Sequence, residues 1–172
     1  MQKELPVRKH PRLKGYDYSS NGVYSLTLCV EGRHEMLGKI VGRDVLIAPY
    51  IELSEYGKIV DKHINKINMI NDIISVDKYV IMPNHIHMII IIQHSEKSSV
   101  GERGAMRTSR PTSASIPSLM RSFKTMVTKE IGFSLWQTTY HDHIIRDEED
   151  YWYRWNYIDQ NPAKWAEDEF YK

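Results

Sequence analysis

The chain has 172 residues, 41% of them hydrophobic and 26% charged, with 23 Lys and Arg against 22 Asp and Glu and a single cysteine, Cys29. That is enough for one domain, residues 1–172, with a single sizeable core. One cysteine excludes a disulfide framework and a Cys-based zinc site, and the longest apolar run, Met88 to Ile92, is far too short to span a bilayer. The start, Met1-Gln2-Lys3-Glu4, lacks an apolar stretch of signal length, so a reducing, cytoplasmic setting is expected.

The near-zero net charge hides an uneven distribution. Residues 1–16 hold five bases against one acid, and residues 97–129 hold seven bases, whereas residues 146–172 hold eight acids against four bases. Basic segments in a neutral chain point to a local polyanion-binding surface, the plain alternative being solvated faces and a basic arm.

In chain order, residues 1–20 read as a basic N-terminal arm. Val23 to Val30 reads as a strand, and Gly32 to Val41 as a hairpin of short strands. From about Pro49 to Ile70 apolar residues recur at helical spacing (Ile51, Leu53, Ile59, Val60, Ile64, Ile67, Ile70), which predicts the first long helix. Ile74 to Met82 and His85 to Ile92 are two strands, joined by a tight turn or kinked at Pro83-Asn84. Residues 93–115, rich in Ser, Gly and Arg, form a loop expected to be flexible. Ile116 to Ile131 is a helix with Pro117 in its first turn and Gly132 ending it. Leu135 to Ile145 is a strand, and Asp147 to about Asn161 a helix whose acidic first turn favours the dipole. The order predicts an α+β fold, a central, mainly antiparallel β-sheet with packed α-helices.

His85-Ile86-His87 carries the chemistry. On a strand, residues i and i+2 share a face, so the two imidazoles project side by side and can share a divalent cation. On the last helix Tyr157 and Asn161 are one turn apart, bringing a phenol and an amide to one point. Two nitrogen ligands, an amide oxygen and a tyrosine nucleophile make a plausible metal site with positions open for a phosphate oxygen. Tyr153, a turn earlier on the same face, and Tyr151 are the competing tyrosines. His141 and His143 also alternate on a strand, but without a partner carboxylate evident from the sequence. His143 and Arg146 are read as touching DNA or the edge of the site, and Arg107, Arg110, Arg121 and Lys124 as candidate phosphate contacts.

Three segments carry a resemblance. They are Met82-Pro83-Asn84-His85-Ile86-His87-Met88-Ile89, Trp136-Gln137-Thr138-Thr139-Tyr140-His141-Asp142-His143-Ile144-Ile145-Arg146-Asp147, and Tyr157-Ile158-Asp159-Gln160-Asn161-Pro162-Ala163-Lys164-Trp165. In this order and at these separations they resemble the single-tyrosine HUH transposases, and more closely their REP-associated tyrosine transposase branch. The arm Arg8-Lys9-His10-Pro11-Arg12 to Tyr18 resembles one subgroup of that branch. The resemblance implies a ferredoxin-like HUH nuclease architecture, with Mg²⁺ or Mn²⁺ on His85 and His87, Asn161 in the position of the third ligand, and Tyr157 as nucleophile. It also implies single-stranded or hairpin DNA as substrate, cut through a 5′-phosphotyrosine link. Arg8, Lys9 and Arg12 join the DNA contacts, the protein acts near the nucleoid as a monomer or homodimer, and no membrane is involved. Two rivals remain at this point: a regulator that binds DNA on the same fold without cutting it, and a metal hydrolase in which water attacks and Tyr157 is structural.

Overall fold

The computed structural model describes residues 13–42, 48–94 and 114–171. Arg8, Lys9, Arg12, Arg107 and Arg110 lie outside them, as does most of the arm and of the loop at 93–115.

The fold is α+β. Four antiparallel strands form the main sheet in the order β4-β5-β1-β6: β1 Gly22–Cys29, β4 Ile74–Ile81, β5 His85–Ile92 and β6 His141–Ile145. β5 is central and buried on both faces, which explains why it reads as almost unbroken hydrophobic sequence. Its even-numbered residues Ile86, Met88, Ile90 and Ile92 enter the main core with Leu26, Leu28, Val60, Ile64, Phe123 and Val127. There the sheet is covered by α1 (Glu55–Ile70) and α2 (Ile116–Ile131). The odd-numbered residues face the other layer, where Ile89 packs against Ile145 and Ile158 beneath α3 (Glu148–Gln160). His85 and His87 belong to that second face by strand alternation alone.

β4 and β5 form a tight hairpin through residues 82–84, with a register shift between Val76 and Lys78, so the turn reading holds and the single kinked strand does not. α2 runs over the expected residues, capped by Ser115 and stopped at Gly132, whose φ of 93° lies in the left-handed region that glycine tolerates. α3 begins after Asp147, whose Oδ1 accepts from the N–H of Asp150.

Three expectations are corrected. Residues 32–41 do not form a hairpin by themselves: Glu31–Arg33 is a turn of 3₁₀ helix, and β2 (Gly38–Val41) pairs with β3 (Tyr50–Leu53). The long helix accordingly starts at Glu55, because Ser54 caps it and Ile51 and Leu53 belong to β3. The apolar period ran through the strand because alternating Ile51 and Leu53 happen to fit a helical stripe. The strand expected from Leu135 is only His141–Ile145. Residues 135–140 are held instead by an isolated bridge between Val30 and Trp136 and by Lys124, whose Nζ donates to the carbonyls of Gln137 and Thr138.

The junction of β3 and α1 is the tightest point of the fold. Ser54 N–H donates to Leu37 O, and its hydroxyl donates to Met36 O while accepting from Gly57 N–H. This draws the Leu37 carbonyl against Gly57, where a Cβ would stand 2.0 Å from Leu37 O and 3.1 Å from Leu53 Cδ2. Gly57→Ala should therefore destabilise the protein by about 3 kcal/mol despite the better helix propensity of alanine. The urea midpoint at unchanged m-value reads this, and a shift worth less than about 0.5 kcal/mol would show that the β3–α1 junction relaxes freely.

Candidate metal and nucleophile centre

Both imidazoles are removed from solvent, His85 at 0% and His87 at 4% exposure. Their Nε2 atoms face each other at 2.9 Å. What fixes them is on their other nitrogens. Asn84, itself 0% exposed, donates through Nδ2 to the carbonyls of Arg33 (3.2 Å) and Phe170 (2.8 Å). Its Oδ1 is thus the atom 2.8 Å from His85 Nδ1, so Nδ1 carries the proton and Nε2 is a bare lone pair. His87 Nδ1 meets Thr27 Oγ1 at 2.8 Å, and a hydroxyl there serves either as donor or as acceptor. With Thr27 donating, His87 Nε2 carries the proton and donates a hydrogen bond to His85 Nε2 across the 2.9 Å gap. With Thr27 accepting, two lone pairs converge, at a separation close to the ~3.0 Å that two nitrogens ~2.1 Å from one cation at right angles would show.

Burial pushes both imidazoles toward the neutral form that ligation requires. His85 is held well below the usual histidine range by burial and then by its neighbour His87. His87 is lowered to about 4 by burial; the charge of Asp168 opposes this and that of Arg154 adds to it.

The fourth side of the site comes from the C-terminal hook. After α3 the chain turns through a 3₁₀ segment, Asn161–Glu167, with Pro162 in its first turn. Asn161 therefore lies past the last regular α-helical turn, yet it is 3% exposed. Its Nδ2 donates to Asp168 Oδ2 at 2.9 Å, while its buried Oδ1 has no hydrogen-bond partner among the described residues. Asp168 Oδ2 also accepts from Tyr157 Oη at 3.3 Å, and its Oδ1 accepts from Phe170 N–H. The Tyr157 and His87 ring centroids are 5.2 Å apart, in an edge-on arrangement. Phe170 closes the site from behind, its ring 4.6 Å from His85.

His85, His87 and Asp168 offer ligand atoms that all lie within 4.8 Å of one another. Asp168 is the residue that sequence reasoning missed. It stands 11 residues beyond Tyr157, across a Pro-containing 3₁₀ turn, where no helical spacing links the two. Thr27 was missed for a different reason, since it acts by orienting an imidazole rather than by any motif of its own, whereas Asn84 stands inside the first motif segment, next to the imidazole it orients. Two imidazoles, a carboxylate and an orphaned amide oxygen are a donor set that suits a divalent cation.

Tyr157 is 37% exposed at the mouth of a cleft of about 310 Å³ that Asn161, Lys164 and Asp168 also line. Burial, then the Asp168 charge, raises its phenol to about 12. Tyr153 is 65% exposed a turn earlier. His143 reaches α3, with Nε2 2.6 Å from Asp150 Oδ2. Arg146 is exposed just after β6. Arg121 and Lys124 sit on α2, on the opposite layer of the sheet from the imidazole pair, and Lys124 is bound to two carbonyls.

No family model matches the chain. A solved structure of a REP-associated tyrosine transposase bound to a REP hairpin shares this fold, with a TM-score of 0.57 at 19% identity over 90% of this chain and 74% of that one. An uncharacterised protein of Haemophilus influenzae is 34% identical over 174 residues, 95% of this chain and 93% of its own. At that identity over nearly the full length of both, the protein belongs to the family of this Haemophilus influenzae protein.

Proposed function

We propose that the protein is a metal-dependent transesterase of transposase type that cuts and rejoins single-stranded DNA. The observation that carries the reading is one cluster: two buried imidazoles lie beside the Asp168 carboxylate, and that carboxylate also accepts from the half-exposed Tyr157 phenol at the cleft. A core pair of histidines would need no acid beside it. The hairpin DNA bound by the transposase of the same fold agrees with the substrate class.

His85, His87 and Asp168 would hold Mg²⁺ or Mn²⁺, with Asn161 Oδ1 as a further oxygen donor. When bound, the cation supplies charge neutralisation and polarisation at the scissile phosphodiester. The chain supplies the rest. Tyr157 Oη attacks phosphorus as its proton leaves toward Asp168 Oδ2, to which it already donates. The O–P bond to tyrosine forms, the bond from phosphorus to the 3′ oxygen breaks, and that oxygen leaves with the bonding electrons and takes up a proton. The product is a 5′-phosphotyrosine and a free 3′-hydroxyl. The phosphoester link conserves the bond energy, so attack by another 3′-hydroxyl reseals the strand with no nucleotide cofactor. Arg146, exposed just after β6, would meet the DNA backbone together with the basic residues outside the described segments, whereas Arg121 and Lys124 lie on the opposite layer of the sheet and His143 is held by Asp150.

Denaturing gels with a labelled hairpin oligonucleotide and Mn²⁺ test this directly. Wild type should form a covalent adduct, and Tyr157→Phe should lose it by at least about 1,000-fold. Its thermal stability should stay within about 1 kcal/mol, because only one exposed hydrogen bond is removed. Tyr153→Phe should still form the adduct. An adduct that survives in Tyr157→Phe and vanishes in Tyr153→Phe would move the nucleophile one turn back. No adduct from wild type would favour the hydrolase or the non-cutting regulator.

Calorimetry with Mn²⁺ alone separates the ligands from their supports. His87→Ala and Asp168→Ala should each weaken binding by about 100-fold or more, and Asn84→Ala, which frees the His85 ring, by about 10-fold. Unchanged affinity in both ligand variants would rule out this metal centre.

A further inference from the structure

Arg154 stands on α3 three residues before Tyr157, so the two side chains leave neighbouring positions on one helix face. It is partly buried, its side chain 33% exposed. Its Nε donates to Asp150 Oδ1 at 3.3 Å, and the other oxygen of that carboxylate meets His143 Nε2 at 2.6 Å. Asp150 is itself fixed at the first turn of α3 by its N–H on Asp147 Oδ1. His143 lies on β6 opposite Ser25, and Ser25 lies opposite Ile89, two residues along β5 from His87. The chain of contacts therefore ties the guanidinium to the face of the sheet that carries the imidazole pair.

The tether uses one donor of five. Among the described residues Nη1 and Nη2 make no hydrogen bond, and the remaining contact is the Tyr153 ring, 5.5 Å from Cζ. A guanidinium held by Nε alone presents its planar fork outward, and that fork matches two oxygens of a phosphate. A lysine at this position would have no second nitrogen for such a tether. The acids around it, Asp147 and Asp150, are spent on the helix cap and on the tether itself.

We propose that Arg154 grips the non-bridging oxygens of the phosphodiester that Tyr157 attacks, with Asp150 and His143 setting its direction. The proposal rests on the transesterase reading above and adds the residue that touches the phosphate. Arg154 is the group in contact with substrate, and Asp150 and His143 act through it.

The test compares single-turnover adduct formation on two oligonucleotides, one with the ordinary phosphodiester and one with a methylphosphonate at the linkage that wild type has been shown to cleave. On the phosphodiester, Arg154→Ala should be slowed about 100-fold and Arg154→Lys about 10-fold. On the methylphosphonate, which offers no anionic pair of oxygens, wild type and Arg154→Ala should differ by no more than about threefold. Should Arg154→Ala melt early, Arg154→Gln keeps a donor within reach of Asp150 and makes the same comparison. An arginine variant within twofold of wild type on the phosphodiester overturns the proposal and leaves the transesterase reading intact. So does an equal loss on both oligonucleotides, which marks a structural role. A wild type that forms no adduct on any strand overturns both.

Discussion

The structure depends on keeping two imidazoles, with their Nε2 atoms 2.9 Å apart, in a nearly dry interior. A buried polar group costs several kcal/mol unless it is partnered, so each outer nitrogen must be met. Asn84 meets one and Thr27 the other. Asn84 can do so only because its amide is anchored on two carbonyls from distant parts of the chain, Arg33 and Phe170. The 3₁₀ turn after β1, the β4–β5 hairpin and the C-terminal hook thus meet at a single side chain. Rigidity of the pair is a property of the whole domain and not of β5 alone.

The same hook ties the Tyr157 phenol to the candidate ligands. Asp168 accepts from Tyr157, Asn161 and the Phe170 backbone at once, so the phenol, the amide and the carboxylate share one orientation. α3 is fixed to the sheet independently: Lys78 pairs with Asp159 at 2.7 Å and stacks on Trp155, and Tyr151 donates to Asp77. A helix clamped at both ends leaves the Tyr157 ring little freedom above His87. Burial, and then the charge of Asp168 beside it, raise the phenol, and a positive charge in the cluster would relieve the second of these.

Much of this was legible in the residues. The apolar run of β5, broken only by His85 and His87, announced a central strand with two imidazoles on one face. Spacing on α3 singled out Tyr157 and Asn161, and both donate to Asp168. The start of α1 was misread because Ile51 and Leu53 satisfy two periodicities at once, and only pairing with β2 decides between them. Asp168 was invisible for a physical reason: Pro162 and the 3₁₀ turn break the register, so the approach of residue 168 to residue 157 is a matter of tertiary geometry. Arg154 was hidden by its neighbours, since an arginine four residues after an aspartate on a helix reads as an ordinary surface ion pair until His143 is seen on the far side of that aspartate.

The central claim is that the paired imidazoles and the hook form one metal centre beneath Tyr157. Anomalous diffraction at the manganese edge, from crystals equilibrated with Mn²⁺, tests it most directly. The account predicts one strong peak bonded to His85 Nε2, His87 Nε2 and a carboxylate oxygen of Asp168, with the imidazoles still held by Asn84 and Thr27. A saturated crystal with no peak between the two imidazoles, or with manganese bound elsewhere, would contradict it.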